Sequence, residues 1–276
     1  MKIIFFYRKG NKAAQYWAGK IKDNIKNKYP SIGFVGKDPD VVIVLGGDGS
    51  ILEAARKYHH ESNPMILGLN LGNVGFLASV REPKNFINSV NKFLEGKFSI
   101  SERMVLNVEI LRGGRQIFKG EVLNEIVAQS ILGMVDLEVF AGNICIRKIR
   151  GGGVLVATAT GSTAFNLSAH GPIVMPNIKC LIITEIMDHN IPIPSIVVKH
   201  SEEVAIKINN FRQKGILSVS KIKNKADVVL VADGDKIFPL QKGDVIKIKS
   251  SDHLVRFVEL EPNYFFKSLK DRFSVR

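Results

Sequence analysis

The feature that most constrains the fold is residues 41–53, where a short apolar run leads directly into a cluster of glycines. The run at 41–45, Val-Val-Ile-Val-Leu, is typical of a strand buried on both faces inside a parallel sheet. Ser50 lies where an N-cap is expected and Glu53 follows it, which predicts a capping box and a helix over residues 51–59. A strand, a tight loop and a helix in this order predict an α/β unit.

The loop between this strand and helix has the composition of a phosphate-binding turn. Gly46, Gly47 and Gly49 allow the backbone to turn sharply and approach a ligand, and the N-terminus of the following helix favours anions. Asp48 is the unusual member, because phosphates repel a carboxylate unless it holds a metal ion or takes a proton from an attacking hydroxyl. Gly-Gly-Asp-Gly is also ordinary turn chemistry. The loop favours phosphoryl transfer over that simpler interpretation.

The composition is that of an ordinary soluble protein. The 276 residues are 45% hydrophobic and 24% charged, and no run approaches the roughly 18 apolar residues of a membrane span. The N-terminal apolar stretch ends at Arg8, which is too soon for a signal peptide. Cys145 and Cys180 have neither metal-binding nor redox spacing, so we predict that both are reduced and lie in the core. These observations predict a cytoplasmic protein with no membrane partner.

The formal net charge of +13 would suit a polyanionic partner such as a nucleotide, polyphosphate or nucleic acid. The Lys and Arg residues are, however, scattered along the chain and form neither a basic tail nor a long basic run. We therefore interpret the charge mainly as a Lys-rich solvated surface. No specific nucleic-acid partner is predicted.

The first 98 residues alternate between strand and helix patterns, which predicts a Rossmann-like open sheet. A second glycine-rich stretch, residues 70–77, also follows a predicted strand. Open α/β sheets bind ligands at the carboxyl ends of their strands, so the two loops predict a cleft at that edge. The predicted strands are 2–7, 32–35, 41–45 and 65–69, and the predicted helices are 11–29, 51–59 and 83–94.

From residue 99 to residue 261 the pattern changes to short strands, which predicts an all-β second domain. Two runs, 104–110 and 116–123, flank Gly113-Gly114 and predict a hairpin. Further predicted strands are 135–140, 144–149, 154–157, 180–184, 195–198, 204–208, 228–231, 245–249 and 255–260. Residues 263–273 predict a helix whose apolar stripe packs back on the first domain, so that residues 262–276 complete it.

Two stretches of the second domain carry polar groups suited to a nucleoside. Asn124 and Glu125 lie side by side at a strand end in an apolar stretch, where they need partners such as ribose hydroxyls; a turn or edge position is an equal alternative. Residues 158–172 run from a strand into a loop of small and hydroxyl residues and a short helix that starts at Ser162 or Thr163. Their amides and hydroxyls could bind a ribose or an adenine edge.

Together these motifs resemble the NAD kinases over essentially the whole chain. The Gly-Gly-Asp-Gly segment is shared with lipid kinases and phosphofructokinases, but Thr-Gly-Ser-Thr-Ala at 160–164 is not shared with the lipid kinases, and phosphofructokinases are longer with a different second half. The matching segments are 46–50, 70–77, 102–104, 124–125, 158–165 and 233–234.

The resemblance implies transfer of a phosphoryl group to the 2′-hydroxyl of the adenosine ribose of NAD. The implied donor is ATP, or polyphosphate in some members, with Mg²⁺ or another divalent cation arriving on the nucleotide, since no His/Cys/Asp cluster predicts a protein metal cage. Asp48 is implied as the general base or the group that orients the hydroxyl, with phosphates at Gly46, Gly47, Gly49 and Ser50. The implied NAD-binding residues are Gly75, Phe76, Asn124, Glu125, Thr160, Thr163, Ala164, Phe165, Ser168 and Asp233. The family also implies a homodimer or homotetramer.

Several residues depart from the family pattern. Gly152 stands where an Asp usually contacts the dinucleotide, Ala159 replaces a proline, Phe165 a tyrosine and His170 a glycine.

Two alternative functions are kept. One is a lipid or sugar kinase with the same phosphate loop, and the other is a non-catalytic pyridine-nucleotide-binding regulator, which Gly152 motivates. Asp48 favours catalysis, because a carboxylate among phosphates is costly without a chemical role.

Overall fold

The computed structural model describes residues 1–60, 62–72, 75–190, 193–212, 217–218 and 225–273. The chain forms two compact units, Met1–Arg103 with His253–Arg276, and Met104–Asp252. The sequence pattern places these boundaries near 98 and 262 instead. The positions differ because two long strands, Ser99–Arg112 and Val245–Glu259, run across the boundaries without a linker.

The first unit contains a parallel sheet with helices. Its strands are β1 (Lys2–Phe6), β2 (Gly33–Phe34), β3 (Val41–Leu45) and β4 (Met65–Leu69), and its first helices are α1 (Lys12–Lys28), α2 (Asp48–Tyr58) and α3 (Phe86–Leu94). These strands lie in the order β2-β1-β3-β4. Every residue of β3 is buried, as its continuous apolar run predicts. The chain leaves β1 towards β2 on one side and continues with β3 on the other, which makes the β1/β3 edge a topological switch point.

Helix α1 follows its predicted limits closely. The side chain of Asn11 is the N-cap and accepts a hydrogen bond from the Ala14 N–H at 3.0 Å. Ala14, Ile21 and Ile25 are buried on its inner face, while Trp17 is half-buried with its ring centroid 5.4 Å from that of Phe86. These residues form the face of α1 that packs in the core of the first unit.

Helix α2 begins earlier than predicted, and the predicted capping box is wrong. The helix starts at Asp48, with Gly47 in the N-cap position and no side-chain cap. Ser50 lies within the first turn, its side chain buried close to Gly46, whose missing Cβ would lie 2.6 Å from the Ser50 hydroxyl. Glu53 forms an ion pair with Arg8 at 3.2 Å. The helix starts early because Gly47 is extended and Asp48 provides a favourable acidic first turn.

The second unit is an all-β structure, as predicted. Its strands pair antiparallel: β5 with β6, β7 with β9 and β15, β8 with β9 and β12, and β10 with β9 and β11. Their bounds are β5 (Ser99–Arg112), β6 (Arg115–Val122), β7 (Glu125–Ser130), β8 (Val135–Ala141), β9 (Ile144–Thr158), β10 (Cys180–Asp188), β11 (Ile196–Lys199), β12 (Val204–Phe211), β13 (Leu217–Ser218), β14 (Lys225–Ala226), β15 (Val228–Ala232), β16 (Lys236–Pro239) and β17 (Val245–Glu259). A 3₁₀ turn at Gly161–Thr163 precedes the short helix α4 (Phe165–Ser168).

Several local predictions in this unit need correction. Strand β9 is continuous where two strands were expected, because Gly151 and Gly153 still pair with β10. Strand β17 likewise joins two predicted strands, and β16 was not predicted. Cys145 is exposed instead of lying in the core, while Cys180 is buried as predicted; both are free thiols. The hairpin is confirmed, since Gly113 and Gly114 form its turn with φ of 56° and 77°.

The C-terminal helix α5 (Tyr264–Phe273) belongs to the first unit, which confirms that it packs on that domain. Arg81 holds this helix in place. It donates hydrogen bonds to the Tyr264 hydroxyl at 3.2 Å and to Ser268, and it forms an ion pair with Asp271. In the part of the chain that the structure describes, no helix is both long enough and apolar enough to cross a bilayer.

Asn11→Ala removes the acceptor for the Ala14 N–H and should lower the free energy of unfolding of the first unit by about 1 kcal/mol. Trp17 is the protein's single tryptophan and lies in α1, so its fluorescence during urea unfolding reports on this unit. Asn27→Ala changes an exposed residue of the same helix and serves as the control. Equal midpoints for the two variants would contradict the assigned cap.

Candidate active site

The carboxylate of Asp48 joins the two glycine-rich loops of the first unit. Its Oδ2 accepts a hydrogen bond from the Phe76 N–H at 2.8 Å and its Oδ1 accepts one from the Leu77 N–H at 3.2 Å. Asp48 starts α2 directly after β3, and Phe76 and Leu77 follow β4, the neighbouring strand. The predicted meeting of these loops at one edge of the sheet is confirmed.

Burial raises the pKa of Asp48 above its usual range. The amide hydrogen bonds from Phe76 and Leu77 oppose this rise, as do the positive charges of Arg272 and Arg81. A carboxylate with a raised pKa is a stronger base than an exposed one. The two arginines lie far from Asp48 in sequence, and no local sequence signal identified them.

Gly75 is required by the position of Asp48. A Cβ at Gly75 would overlap the Asp48 carboxylate, whereas one at Gly72 would lie 3.7 Å from the Asn70 side-chain oxygen, an ordinary contact. The glycine therefore lets the backbone of the second loop reach the carboxylate. The reason that glycine is required at this position is steric.

The ring of Phe76 is buried within the first unit. Its centroid lies 6.0 Å from that of Phe265 and 6.5 Å from that of Phe273, both in α5, and the Arg272 guanidinium lies 5.6 Å from it. Residues 263–273 therefore support the loop that holds Asp48. A contact of Phe76 with NAD stays a prediction.

In the second unit, Asp233 organises the backbone around Asn124 and Glu125. Its Oδ1 accepts hydrogen bonds from the Asn124 N–H at 2.7 Å and the Glu125 N–H at 3.3 Å, and its Oδ2 accepts one from the Leu123 N–H at 3.0 Å. Asp233 itself has a φ of 46° in the tight turn between β15 and β16. The family resemblance implies that Asp233 binds NAD, which stays a prediction, and the structure shows that its carboxylate holds the backbone of the Asn-Glu pair in place.

Burial raises the pKa of Glu125 to about 8, and the nearby negative charge of Asp233 adds to this rise. A hydrogen bond from the Phe165 amide opposes it. Within the described residues, neither the buried Oδ1 of Asn124 nor the buried Oε2 of Glu125 has a hydrogen-bond partner. Buried polar atoms are normally paired, so these two indicate a ligand or a water.

The loop after β9 is held by its own hydroxyl groups. Thr158 donates to the Leu123 carbonyl at 2.6 Å, and Ser162 donates to the Ala159 carbonyl at 2.7 Å. Gly161 packs so closely on the Asn124 backbone that a Cβ there would overlap it. Thus the loop and the Asn-Glu pair form one cluster, including the buried Thr160. Of the other indicated residues, Thr163 and Ala164 are half-buried, and Phe165 and Ser168 are exposed.

Gly152 lies in β9 where that strand pairs with β10. A Cβ at this position would lie 3.0 Å from the Ile186 carbonyl oxygen and 3.3 Å from its Cγ2. The pairing is therefore fitted to a glycine. His170, another departure from the family pattern, has a φ of 61°, a backbone conformation that favours glycine.

The structure thus gathers the indicated residues in two groups. Asp48, Gly75 and Phe76 are together in the first unit, and the Asn-Glu pair, Thr160, Phe165 and Asp233 are together in the second. An amide-bound carboxylate at the start of a helix, beside a glycine loop on a parallel sheet, is an arrangement suited to a phosphotransferase.

Comparisons with known proteins make this class specific. The profile of the ATP-NAD kinase N-terminal domain matches residues 9–98, and that of the ATP-NAD kinase C-terminal domain matches residues 123–260. The NAD kinase of Syntrophotalea carbinolica is 34% identical over 84% of this chain and 77% of that protein. The NAD kinase of Natranaerobius thermophilus is 33% identical over 87% of this chain and 79% of that protein.

Solved structures agree on the fold. Yeast NADH kinase complexed with NADH has a TM-score of 0.87 at 19% identity, covering 100% of this chain and 88% of that one. An NAD kinase from Archaeoglobus fulgidus in complex with ATP has a TM-score of 0.74 at 23% identity, covering 99% and 98%. The chain belongs to the NAD kinase family. Neither the lipid or sugar kinase nor the non-catalytic regulator is favoured.

Gly75→Ala should displace the Asp48 carboxylate or the loop that holds it, and so reduce kcat for NADP formation by at least about tenfold. Gly72→Ala is the matched control, because its Cβ meets only an ordinary contact. Both variants are assayed under identical conditions, with circular dichroism as the check on folding. Similar kcat values for the two would show that the close approach at Gly75 has no catalytic importance.

Glu125 should make stability depend on pH. Because burial raises its folded-state pKa to about 8 from an ordinary 4.5, the folded protein keeps a proton that the unfolded chain loses. The free energy of unfolding should therefore be highest below pH 4.5 for this group and fall as pH rises towards 8, by at most about 1.4 kcal/mol per pH unit.

Urea unfolding of Glu125→Gln at several pH values measures this contribution. Relative to wild type, Glu125→Gln should become more stable to unfolding as pH rises from about 5 to about 8. This range is roughly the interval between the unfolded-state and folded-state pKa values of Glu125. Glu202→Gln removes an exposed carboxylate of the same unit and is the control. A difference independent of pH would rule out a raised pKa at Glu125.

Proposed function

We propose that this chain transfers the terminal phosphoryl group of ATP to the 2′-hydroxyl of the adenosine ribose of NAD, giving NADP and ADP. Family membership supports the reaction, and the position of Asp48 carries its chemistry. The carboxylate is held by two amides at the start of a helix that faces a glycine loop. We assign phosphate binding to the first unit and NAD binding mainly to the second.

Asp48 is the proposed general base. One of its carboxylate oxygens accepts the proton of the ribose 2′-hydroxyl as that oxygen bonds to the terminal phosphorus of ATP. The bond from this phosphorus to its bridging oxygen breaks, and the electron pair leaves with ADP. The raised pKa of Asp48 favours proton acceptance, while its two amide hydrogen bonds hold the carboxylate in place.

The start of α2 is suited to the phosphates. The first helical hydrogen bonds are donated by the Ser50 and Ile51 amides to the Gly47 carbonyl, at 2.9 and 3.2 Å. The amides of Asp48 and Gly49 precede these bonds, so the helix offers them no internal acceptor. Together with the helix dipole they favour an anion at Gly47–Gly49.

Asn124 and Glu125 are the proposed partners of NAD hydroxyl groups. With a pKa of about 8, Glu125 is largely protonated at neutral pH, so its carboxyl group can both donate and accept a hydrogen bond. The unpartnered oxygen of Asn124 can accept one. A pair with both capacities suits a hydroxyl, which also donates and accepts. The same proposal gives Thr160, Thr163, Ala164, Phe165 and Ser168 contacts with the nucleoside.

Mg²⁺ or another divalent cation is the proposed companion of the donor. Each Asp48 oxygen accepts one amide hydrogen bond and so keeps a further lone pair, which fits a cation held by one carboxylate and the nucleotide's phosphates. When bound, the cation would neutralise charge on the phosphates. Asp48 is the residue that would hold it.

Other parts of the proposal rest on the family. Polyphosphate is an alternative donor, and the active form is a homodimer or homotetramer. We place the enzyme in the cytoplasm, which its two free thiols support.

Asp48→Asn should abolish NADP formation and leave NAD affinity within a few-fold of wild type, because it removes the base without removing the groups that bind NAD. The amide also opposes an N–H donor with its own NH₂, so stability should fall by about 1–3 kcal/mol. An NADP-specific dehydrogenase coupled to the reaction measures turnover, and calorimetry measures NAD binding.

Asp40→Asn is the control for this variant. Asp40 is an exposed carboxylate that also accepts a backbone hydrogen bond, from the Lys2 N–H at 2.7 Å. It should retain wild-type turnover. Residual NADP formation by Asp48→Asn close to that of Asp40→Asn would contradict the role of Asp48 as base, and loss of NAD binding would make Asp48 structural.

A further inference from the structure

Three of the protein's six histidines come together in the first unit. His59 and His60 follow α2, and His253 lies in β17. The ring centroids of His59 and His60 are 3.7 Å apart, and that of His253 lies 5.4 Å from His60 and 6.4 Å from His59. None of the three has a part in the proton transfer or the nucleotide binding described above.

The topology of the sheet explains why residues so far apart in sequence meet. Strand β17 runs parallel to β4, and Arg256 is among its paired residues. His253 precedes Arg256, and His60 precedes β4, so both lie at the amino ends of neighbouring strands. Arg256 fixes this arrangement, because its Nε donates a hydrogen bond to the Asn63 carbonyl at 3.0 Å. The histidine cluster is therefore at the opposite end of α2 from the glycine loop.

His59 is buried, and its ring has a fixed orientation. Its backbone nitrogen and its ring Nδ1 each lie 3.0 Å from the Ala55 carbonyl oxygen. A carbonyl oxygen can only accept, so Nδ1 carries a proton and donates it. In the neutral ring the lone pair is then on Nε2. Metal-bound histidines commonly have this arrangement, in which one ring nitrogen donates to a carbonyl and the other binds the ion.

His60 and His253 have a separation close to that of two imidazoles on one metal ion. A nitrogen–metal distance of about 2.0–2.1 Å and a tetrahedral angle place two ring centroids roughly 5 Å apart. The observed distance is 5.4 Å, with the ring planes at 86°. His59 and His60 also offer ring nitrogens within 4.8 Å of each other. Because His60 and His253 are exposed, rotation of their side chains can close the remaining distance.

The charges around the cluster bear on which cation it can hold. His59 is the C-cap of α2, where the partial negative charge of the helix end favours a cation. Arg56 and Lys57, in the last turn, oppose one. Bonds to the imidazole nitrogens must therefore supply most of the affinity. Zn²⁺, Co²⁺, Ni²⁺ and Cu²⁺ form such bonds, whereas Mg²⁺ prefers oxygen ligands.

We propose that His59, His60 and His253 bind a divalent transition-metal cation such as Zn²⁺ through their ring nitrogens. The bound ion joins the end of α2 to β17 and stabilises the first unit, and it is distinct from the cation that accompanies the phosphoryl donor. Sequence spacing does not predict this site, because His253 lies far from the other two ligands. The inference goes beyond the proposed kinase function and does not depend on it.

Calorimetric titration of the untagged, metal-free full chain with Zn²⁺ tests the proposal. The wild type should bind one equivalent. His60→Gln/His253→Gln should weaken the affinity by more than about tenfold, because even an outer-shell partner of a metal ligand commonly contributes that much. Co²⁺ provides a second readout, since the wild type and not this variant should show the visible absorption of a tetrahedral, nitrogen-bound ion.

His189→Gln/His200→Gln removes two imidazoles from the second unit and is the matched control. It should bind Zn²⁺ with wild-type affinity. Equal affinities for the two double variants would overturn the proposal and would place any bound zinc elsewhere, for example at the exposed thiol of Cys145. Absence of zinc binding by the wild type would overturn it as well. No readout uses NADP formation, so failure of the proposed function would leave these results unchanged.

Urea unfolding followed by Trp17 fluorescence shows whether the ion stabilises the first unit. Zn²⁺ should raise the midpoint of the wild type and of the control, because a ligand that binds the folded state stabilises it. It should leave the midpoint of His60→Gln/His253→Gln unchanged. In EDTA all three proteins should have similar midpoints, which would show that the variant is folded. An equal effect of Zn²⁺ on all three would contradict the assigned ligands.

Discussion

The hydrogen bonds from the Phe76 and Leu77 amides to the Asp48 carboxylate are the interaction on which the first unit's site depends. They fix the loop after β3 to the loop after β4, and this close approach excludes any side chain at Gly75. Arg81 has two roles. Its charge opposes the rise in the pKa of Asp48, and its side chain forms hydrogen bonds that hold α5 in place. The support of the loop and the electrostatics of the carboxylate are therefore properties of the same residues.

The two carboxyl groups of the candidate sites differ in how burial is compensated. Burial raises the pKa of both, but Asp48 has two amide donors and two arginines to oppose the rise. Glu125 has one opposing amide, and Asp233 adds to the rise. A base must be deprotonated to accept a proton, whereas a hydroxyl-binding group gains by keeping its own. The surroundings of each residue thus suit the role proposed for it.

Local patterns predicted those features that depend on neighbouring residues. The apolar runs gave β3 and β4 their correct limits, and Gly113-Gly114 identified the hairpin. The prediction of where α2 starts was wrong. Ser50 has a strong N-cap preference, but its packing against Gly46 overrides that preference. Strand β9 was divided at its glycines because pairing with β10, which keeps them extended, is not visible locally. The same limit applies to Arg81 and Arg272, whose proximity to Asp48 is purely tertiary.

Gly152, which departs from the family pattern, is closely packed between strands β9 and β10. The strand pair β9–β10 leaves 3.0 Å between a Cβ at this position and the Ile186 carbonyl oxygen, and the neighbouring Met187 adopts a φ of 48°. A larger residue at this position would therefore require Ile186 to move by a few tenths of an ångström. Gly151 is enclosed more tightly, since a Cβ there would overlap the Met187 carbonyl oxygen, so both glycines pack against this irregular part of β10. The departure at Gly152 therefore belongs to the packing of β9 on β10, whereas the Asp48 carboxylate is held by amides of the first unit.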